Sequence, residues 1–192
     1  MPSIVPPVVP SGRLSAADQP TIKTGTGLEL RPWTARDAPL LYAARQDEGV
    51  RRWSMRAIDS VSEAEELIAS FGSGWKAEKS AAWAVTRDGE VLGHVGLRTI
   101  SLDDGVAECA YWVLPAARGR GIAPQSLLAL SNWCFETVGL HRIELYHSTR
   151  NAASCQVAEK TGYALEGTLR EALRHEDGWH DMHIHARLDE RD

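Results

Sequence analysis

Six consecutive residues, Arg118-Gly119-Arg120-Gly121-Ile122-Ala123, join two glycines and two permanent positive charges to the start of a helical pattern. An apolar, strand-like run (106–113) leads into them, and an apolar helical run (125–135) follows. Glycine lets a backbone turn tightly and approach a ligand with no Cβ in the way. The start of a helix offers unpaired N–H groups and the positive end of the macrodipole, and arginine adds flexible positive charge. Holding a phosphate group, here a pyrophosphate, is the chemistry that this combination suits. Two common phosphate schemes fail on the residues themselves. A triphosphate loop ends in Gly-Lys-Ser/Thr, but Gly121 is followed by Ile122 and Ala123. A dinucleotide fingerprint begun at Gly119 needs a glycine where Pro124 stands.

Other residue groups have chemical potential of their own. Asn151-Ala152-Ala153-Ser154 precedes Glu159-Lys160-Thr161-Gly162-Tyr163, so Asn151 is suited to cap a helix that Gly162 ends. Glu108 lies on the strand that leads to Val113. His175, His180, His183 and His185 crowd the C-terminal end, the last two sharing a strand face. With no cysteine or carboxylate at a familiar spacing, they give no metal site.

These residues need a frame. Leu28 to Arg31 alternates as a first strand, and Thr34 caps a helix from Ala35 to Gln46 with Asp37 in its first turn. Ser62 and Glu65 form a capping box for a helix ending near Glu78. Strands at 82–86 and 91–98 are joined by Asp88-Gly89, a hairpin dipeptide. Asp103-Asp104-Gly105 turns the chain into the strand 106–113. A helix to about Val138, a strand at 142–147, the Asn151 helix and strands at 163–169 and 181–188 complete the order. In the last strand, Met182, Ile184, Ala186 and Leu188 alternate with polar residues, predicting one buried face. Residues 1–27, rich in proline and small polar residues, read as a flexible leader outside a domain spanning 28–188, with a short tail at 189–192.

The 192 residues suit one domain, and 43% hydrophobic with 24% charged is an ordinary globular balance. No apolar run approaches the roughly 18–20 residues that span a bilayer, so no membrane association is expected. A net charge of −5 supplies no footprint for nucleic acid and mildly favours cationic partners. Three widely spaced cysteines (Cys109, Cys134, Cys155) favour a reducing compartment, hence the cytoplasm, over a disulfide framework.

The pattern Arg118-x-x-Gly121-x-Ala123, with Val113-x-Pro115 upstream, resembles the acetyl-coenzyme-A-binding loop of the GCN5-related N-acetyltransferase (GNAT) superfamily. Leu30-Arg31-Pro32-Trp33-Thr34, the Asn151–Ser154 and Glu159–Tyr163 segments, Glu166-Gly167-Thr168-Leu169-Arg170 and Gly178-Trp179-His180-Asp181 are similar to the ribosomal-protein N-terminal acetyltransferase branch, in the same order. The resemblance implies an α+β fold: a mixed, splayed central sheet of about seven strands flanked by about four helices. It implies an N-acyltransferase that moves an acetyl group from acetyl-coenzyme A to a primary amine by direct attack, with no metal. The acceptor could be a protein N-terminus, an amino acid or polyamine, or an amine-bearing small molecule. A non-catalytic acyl-coenzyme-A module, or an enzyme for succinyl or longer donors, is the alternative. A homodimer is a habit of the family.

Residue by residue, the resemblance assigns Arg118, Gly119, Arg120, Gly121, Ile122 and Ala123 to the pyrophosphate. Val113 and Leu114 fall to the thioester and pantetheine, with the Val113 N–H polarising the thioester carbonyl, and Asn151 and Ser154 to the arm and sulfur. Glu108 is the candidate base; strict alternation sets it on the opposite face from Val113, so a β-bulge is expected to bring both to the substrate. Many members carry an acidic tyrosine where Ala158 stands, which leaves Ser154 as proton donor. Trp53 and Trp75 lie in the helical region that forms the family's acceptor groove.

Overall fold

The computed structural model describes residues 4–54 and 56–190. Eight strands form one sheet: β1 (Ile22–Lys23), β2 (Glu29–Pro32), β3 (Ala81–Arg87), β4 (Glu90–Ser101), β5 (Val106–Val113), β6 (Arg142–Ser148), β7 (Ala164–His175) and β8 (Gly178–Leu188). The α-helices are α1 (Ala38–Gln46), α2 (Glu48–Arg51), α3 (Val61–Lys76), α4 (Ile122–Trp133) and α5 (Ala152–Lys160). Strand order is β1-β2-β3-β4-β5-β6-β8-β7, antiparallel throughout except for the parallel pair β5–β6.

Alternation along β3 explains the two cores. Ala81, Trp83 and Val85 face the α4 and α5 side, where they pack with Leu127, Leu130, Ile143 and Tyr163. Ala82 and Ala84 face α1 and α3, against Leu41, Ala64 and Ile68. With helices on both faces, a strand buries side chains of either parity. Asp88 (φ 51°) and Gly89 (φ 84°) make the expected tight turn between β3 and β4.

Local signals shifted in places. Thr34 and Asp37 do form a capping box, but over a 3-10 turn (Ala35–Asp37) that runs into α1. The N-cap of the next long helix is Ser60 rather than Ser62, and the Glu63 carboxylate reaches back to the Asp59 N–H at 2.9 Å instead of closing a reciprocal box. Ser60 Oγ accepts the Glu63 N–H at 3.1 Å, because the helix must begin early enough to turn Ala64 and Ile68 inward. On β8 the predicted face is only partly buried, since Leu188 is exposed, while His185 on the opposite face is buried as well.

The leader is not outside the folded domain. Val9 and Leu14 are buried in the main core, and Ile22–Lys23 pairs with β2 as the eighth strand, one more than expected. The Glu78 carboxylate accepts backbone N–H groups of Gly12 (2.7 Å), Leu14 (2.6 Å) and Ser15 (3.0 Å). Arg13 donates from Nε to the Val138 carbonyl at 3.3 Å. Low periodicity hid this, because an extended segment tied down by backbone groups needs few apolar residues. Of the tail, the Asp189 N–H bonds the His141 carbonyl, and residues 191–192 lie outside the described residues.

Candidate active site

β5 and β6 pair only from Val106↔Arg142 to Cys109↔Leu145, and beyond that the strands diverge. The open edge of β5 follows from its other neighbour. The Leu114 N–H bonds the Leu92 carbonyl across β4. Backbone groups of successive residues point to opposite sides of a strand, so the N–H groups of Tyr111 and Val113 point away from β4, into the gap. The Val113 carbonyl, on that same side, accepts Arg118 Nε at 3.2 Å. A strand edge without a partner can pair with an extended ligand.

At the far end of β5 the chain passes through a 3-10 turn (Pro115–Ala117) and two left-handed glycines, Gly119 (φ 75°) and Gly121 (φ 72°), into α4. Gly121 is the N-cap, so the Ile122 and Ala123 N–H groups open the helix; Pro124, at the third position, contributes none. Ile122 itself is buried, so its side chain anchors the turn. The two arginines differ. Arg120 is exposed with no ionic partner among the described residues, whereas Arg118 reaches back to Asp47 at the N-cap of α2, 2.7 Å away. A cleft of about 530 Å³ runs from this turn along the β5 edge to Asn151 and Ser154.

A second cleft, of about 390 Å³, opens on the other side of the gap, lined by Glu108, Glu144, Tyr146, Ser148, Leu173 and Met182 among others. Both clefts share Trp53, Tyr111, Asn151 and Ser154. At that junction Ser154 Oγ and the Tyr111 hydroxyl are 2.8 Å apart. Burial pushes the Tyr111 phenol well above its usual range even though the Ser154 bond pulls it down, so it stays protonated and can donate. Asn151 caps α5, its Oδ1 accepting the Ser154 N–H at 3.1 Å, which fixes the serine on the first helical turn.

The sequence-selected residues fall out unevenly. Val113, Gly119, Gly121, Ile122, Ala123, Asn151 and Ser154 line one continuous cleft, with Trp53 at its junction with the second. Leu114 follows β5, its N–H already committed to β4. Trp75 is not in a groove; it is buried beside Trp83 and Trp133, and its Nε1 donates to the Ala17 carbonyl at 2.9 Å. Glu108 lines the second cleft and pairs with Arg98 at 3.0 Å. The expected bulge exists, but on β4, between Leu97 and Thr99 opposite Glu108, where it leaves the alternation of β5 intact. No bulge in β5 is required, because a backbone N–H lies in the sheet plane and is open to substrates on either face. Tyr111 escaped sequence reasoning, which sought a phenol only at position 158; its two-residue offset from Val113 was the available signal.

The acetyltransferase (GNAT) domain family matches residues 27–164. This chain belongs to that family. GNAT enzymes move an acetyl group from acetyl-coenzyme A to an amine without a metal, and this chain is an N-acetyltransferase of that kind. It is 25% identical to the uncharacterised N-acetyltransferase YoaA of Bacillus subtilis, over 83% of this chain and 92% of that protein. It is 30% identical to the ribosomal-protein-serine acetyltransferase of Escherichia coli, over 54% of this chain and 58% of that one. Among solved structures, the ribosomal-protein α-N acetyltransferase RimL in complex with coenzyme A superposes with a TM-score of 0.85 at 22% identity, covering 90% of this chain and 100% of that one. The fold of that structure thus extends over nearly the whole chain. None of the described helices is long and apolar enough to cross a membrane.

Proposed function

We propose that this GNAT domain acetylates the α-amine of a protein N-terminus. In this reading the coenzyme lies in the cleft of Val113 and Gly121 and the acceptor enters through the cleft of Glu108. The observation that carries the reading is the meeting of the two clefts at Ser154, beside a β5 edge whose Val113 N–H points into the gap. The N–H groups from Gly119 to Ala123, with Arg120, take the diphosphate; Arg118 contributes by closing α2 over the Val113 end of the cleft. The pantetheine arm lies along the exposed β5 edge, and the Val113 N–H is kept for the thioester carbonyl.

The chemistry follows from these positions. Glu108 and Glu144 line the acceptor cleft, paired with Arg98 at 3.0 Å and Arg142 at 2.7 Å, and an incoming ammonium competes with Arg98 for Glu108. Glu108 takes the proton, directly or through one water, and the free nitrogen lone pair attacks the thioester carbon. Negative charge gathers on the carbonyl oxygen, where the Val113 N–H donates; such a donor is typically worth about 10²- to 10³-fold in rate. As the C–S bond breaks, the thiolate takes the Ser154 hydroxyl proton, Tyr111 steadies Ser154 Oγ by its hydrogen bond, and the second proton shed by the acylated nitrogen passes through water to restore the serine. Similarity to the Escherichia coli ribosomal-protein-serine acetyltransferase supports a protein acceptor. Such an acceptor lies in the cytoplasm, the compartment that the three free cysteines suit.

The test is thiol release from acetyl- and succinyl-coenzyme A with ribosomal-protein N-terminal peptides, polyamines and aminoglycosides as acceptors. Release with acetyl donor and peptide alone is the expected result. Tight coenzyme binding without release for any acceptor would make the chain a binding module, and release only with a small amine would move the acceptor class. With the cognate peptide, kcat/KM should climb through the α-amine range of about 7.7–8.0. Glu108→Gln should lower it across pH 6–9, and a variant with full activity over that range would remove Glu108 as base.

A further inference from the structure

Where β6 and β8 meet α5, next to the acceptor cleft that His147 also lines, three imidazoles and one thiol converge. His147 on β6 stands directly opposite His183 on β8, and His185 lies two residues along the same face. Cys155 comes from α5. One ligand atom from each of the four lies within 4.8 Å of the others. His147 and His185 are almost fully buried, and His183 and Cys155 are half-buried.

The hydrogen bonds around two of the rings determine their tautomers. His147 Nδ1 lies 2.8 Å from the Ser148 carbonyl, and His185 Nδ1 lies 3.2 Å from the Tyr163 carbonyl. A carbonyl oxygen only accepts, so each Nδ1 carries its hydrogen, and each neutral ring is left with a lone pair on Nε2. Those two Nε2 atoms are 3.1 Å apart, on rings stacked 25° from parallel. Two lone pairs held face to face repel unless something positive lies between them. His183 Nδ1 is also buried with no hydrogen-bond partner, and the polar contact of Cys155 Sγ is a long one, 3.7 Å to Glu159.

We propose that His147, Cys155, His183 and His185 form a tetrahedral site for a zinc ion. Zinc–nitrogen bonds of about 2.0–2.1 Å at tetrahedral angles separate two nitrogens by about 3.3 Å, close to the spacing already present. A ring held by Nδ1–H to a carbonyl while Nε2 ligates is the usual support for a metal-bound histidine. Three imidazoles and a thiolate select a borderline-soft ion over magnesium or calcium. A proton shared between the rings is the competing occupant, and the Co²⁺ spectrum separates the two. Binding replaces one proton: the Cys155 S–H breaks, Sγ–Zn forms, and the proton leaves to solvent. Acetyl transfer needs no metal, so the ion's part is to lock β6, β8 and α5 behind Ser154.

Tag-free, chelator-treated full-length protein titrated with Co²⁺, and with Zn²⁺ in competition, tests the site. One equivalent of Co²⁺ should give intense tetrahedral d–d bands and a thiolate-to-metal charge-transfer band, both erased by one equivalent of Zn²⁺. Cys155→Ser, on a half-exposed helix position, should abolish the charge-transfer band and weaken binding at least 10²-fold. His183→Asn should weaken binding similarly while keeping a native circular-dichroism spectrum. The melting temperature of the native chain should rise with Zn²⁺ and not with Mg²⁺. Weak octahedral bands, no binding, or binding indifferent to both substitutions would overturn the proposal. Acetyl transfer by Cys155→Ser, assayed with chelator present, is expected at native rates, so failure here is separable from failure of the acceptor assignment.

Discussion

The two banks of the gap between β5 and β6 are built on different principles. The β5 bank, from Tyr111 to Ala123, is made of backbone: an exposed strand edge, two left-handed glycines and the opening amides of α4. The β6 bank, with α5 and β8, is made of side chains that meet only after folding. Ser154 meets the Tyr111 hydroxyl of the opposite bank, 43 residues away in the chain, and His147 and His185 are 38 apart. A backbone site is written in consecutive residues, since φ and helix starts are local properties. A side-chain site depends on strand register, in which a slip of one residue turns every group to the other face.

If that contrast holds, the two banks should respond differently to substitution. The largest effect is expected on the side-chain bank: Ser154→Ala should lower kcat by about 10²- to 10³-fold, with coenzyme affinity little changed by calorimetry. Gly121→Val should act on binding instead. A β-branched residue at φ 72° is strained, and its Cβ would come within 2.9 Å of Gln125 Nε2. About 1–3 kcal/mol of strain translates into a coenzyme Kd raised roughly 10- to 100-fold. Loss of kcat at saturating donor instead would mean the turn does more than hold phosphate.

Smaller effects sharpen the comparison. Tyr111→Phe should cost about 10-fold in kcat and couple to Ser154→Ala by about 1 kcal/mol in a double-mutant cycle. Strict additivity would show that the 2.8 Å contact plays no part. Least of all, Glu78→Gln should loosen the leader, which braces the chain beyond α4 at Val138. Burial raises the Glu78 pKa, but the N–H groups of Gly12, Ser15 and Leu14 outweigh it and hold the carboxylate below its ordinary range. The sign follows from linkage: the stabilisation is complete above the unfolded pKa and is lost as pH falls through the folded one. Because the carboxylate is largely solvated, the change in melting temperature should be only about 2 °C at neutral pH. It should vanish in acid, as followed by calorimetry.

Much of the fold was legible for the same reason as the β5 bank. Asp88-Gly89, Asp103-Asp104-Gly105, Asn151 and Gly162 are local turn and cap signals, and each marks a boundary in the structure. Ser60 and Ser62 show how far such signals reach: both head an S-x-x-E pattern, and only the demand that Ala64 and Ile68 face the core selects the first. Trp53 and Trp75 could not be told apart either, since one lines the junction of two clefts and the other plugs the core. Their difference is set by α3 packing against the leader, which has no periodic pattern to announce it.

By itself, the order of residues determined the phosphate-suited turn at Gly119–Ala123, the capped helix at Asn151 and the succession of strands and helices. Each depends on dihedral preferences and on hydrogen bonds within a few residues. Only the tertiary structure decided that Tyr111 meets Ser154, that Glu108 faces a separate cleft, and that His147 and Cys155 join His183 and His185. Those contacts are products of sheet register and of the divergence of β5 from β6, which side-chain burial across the whole domain enforces and no short segment encodes.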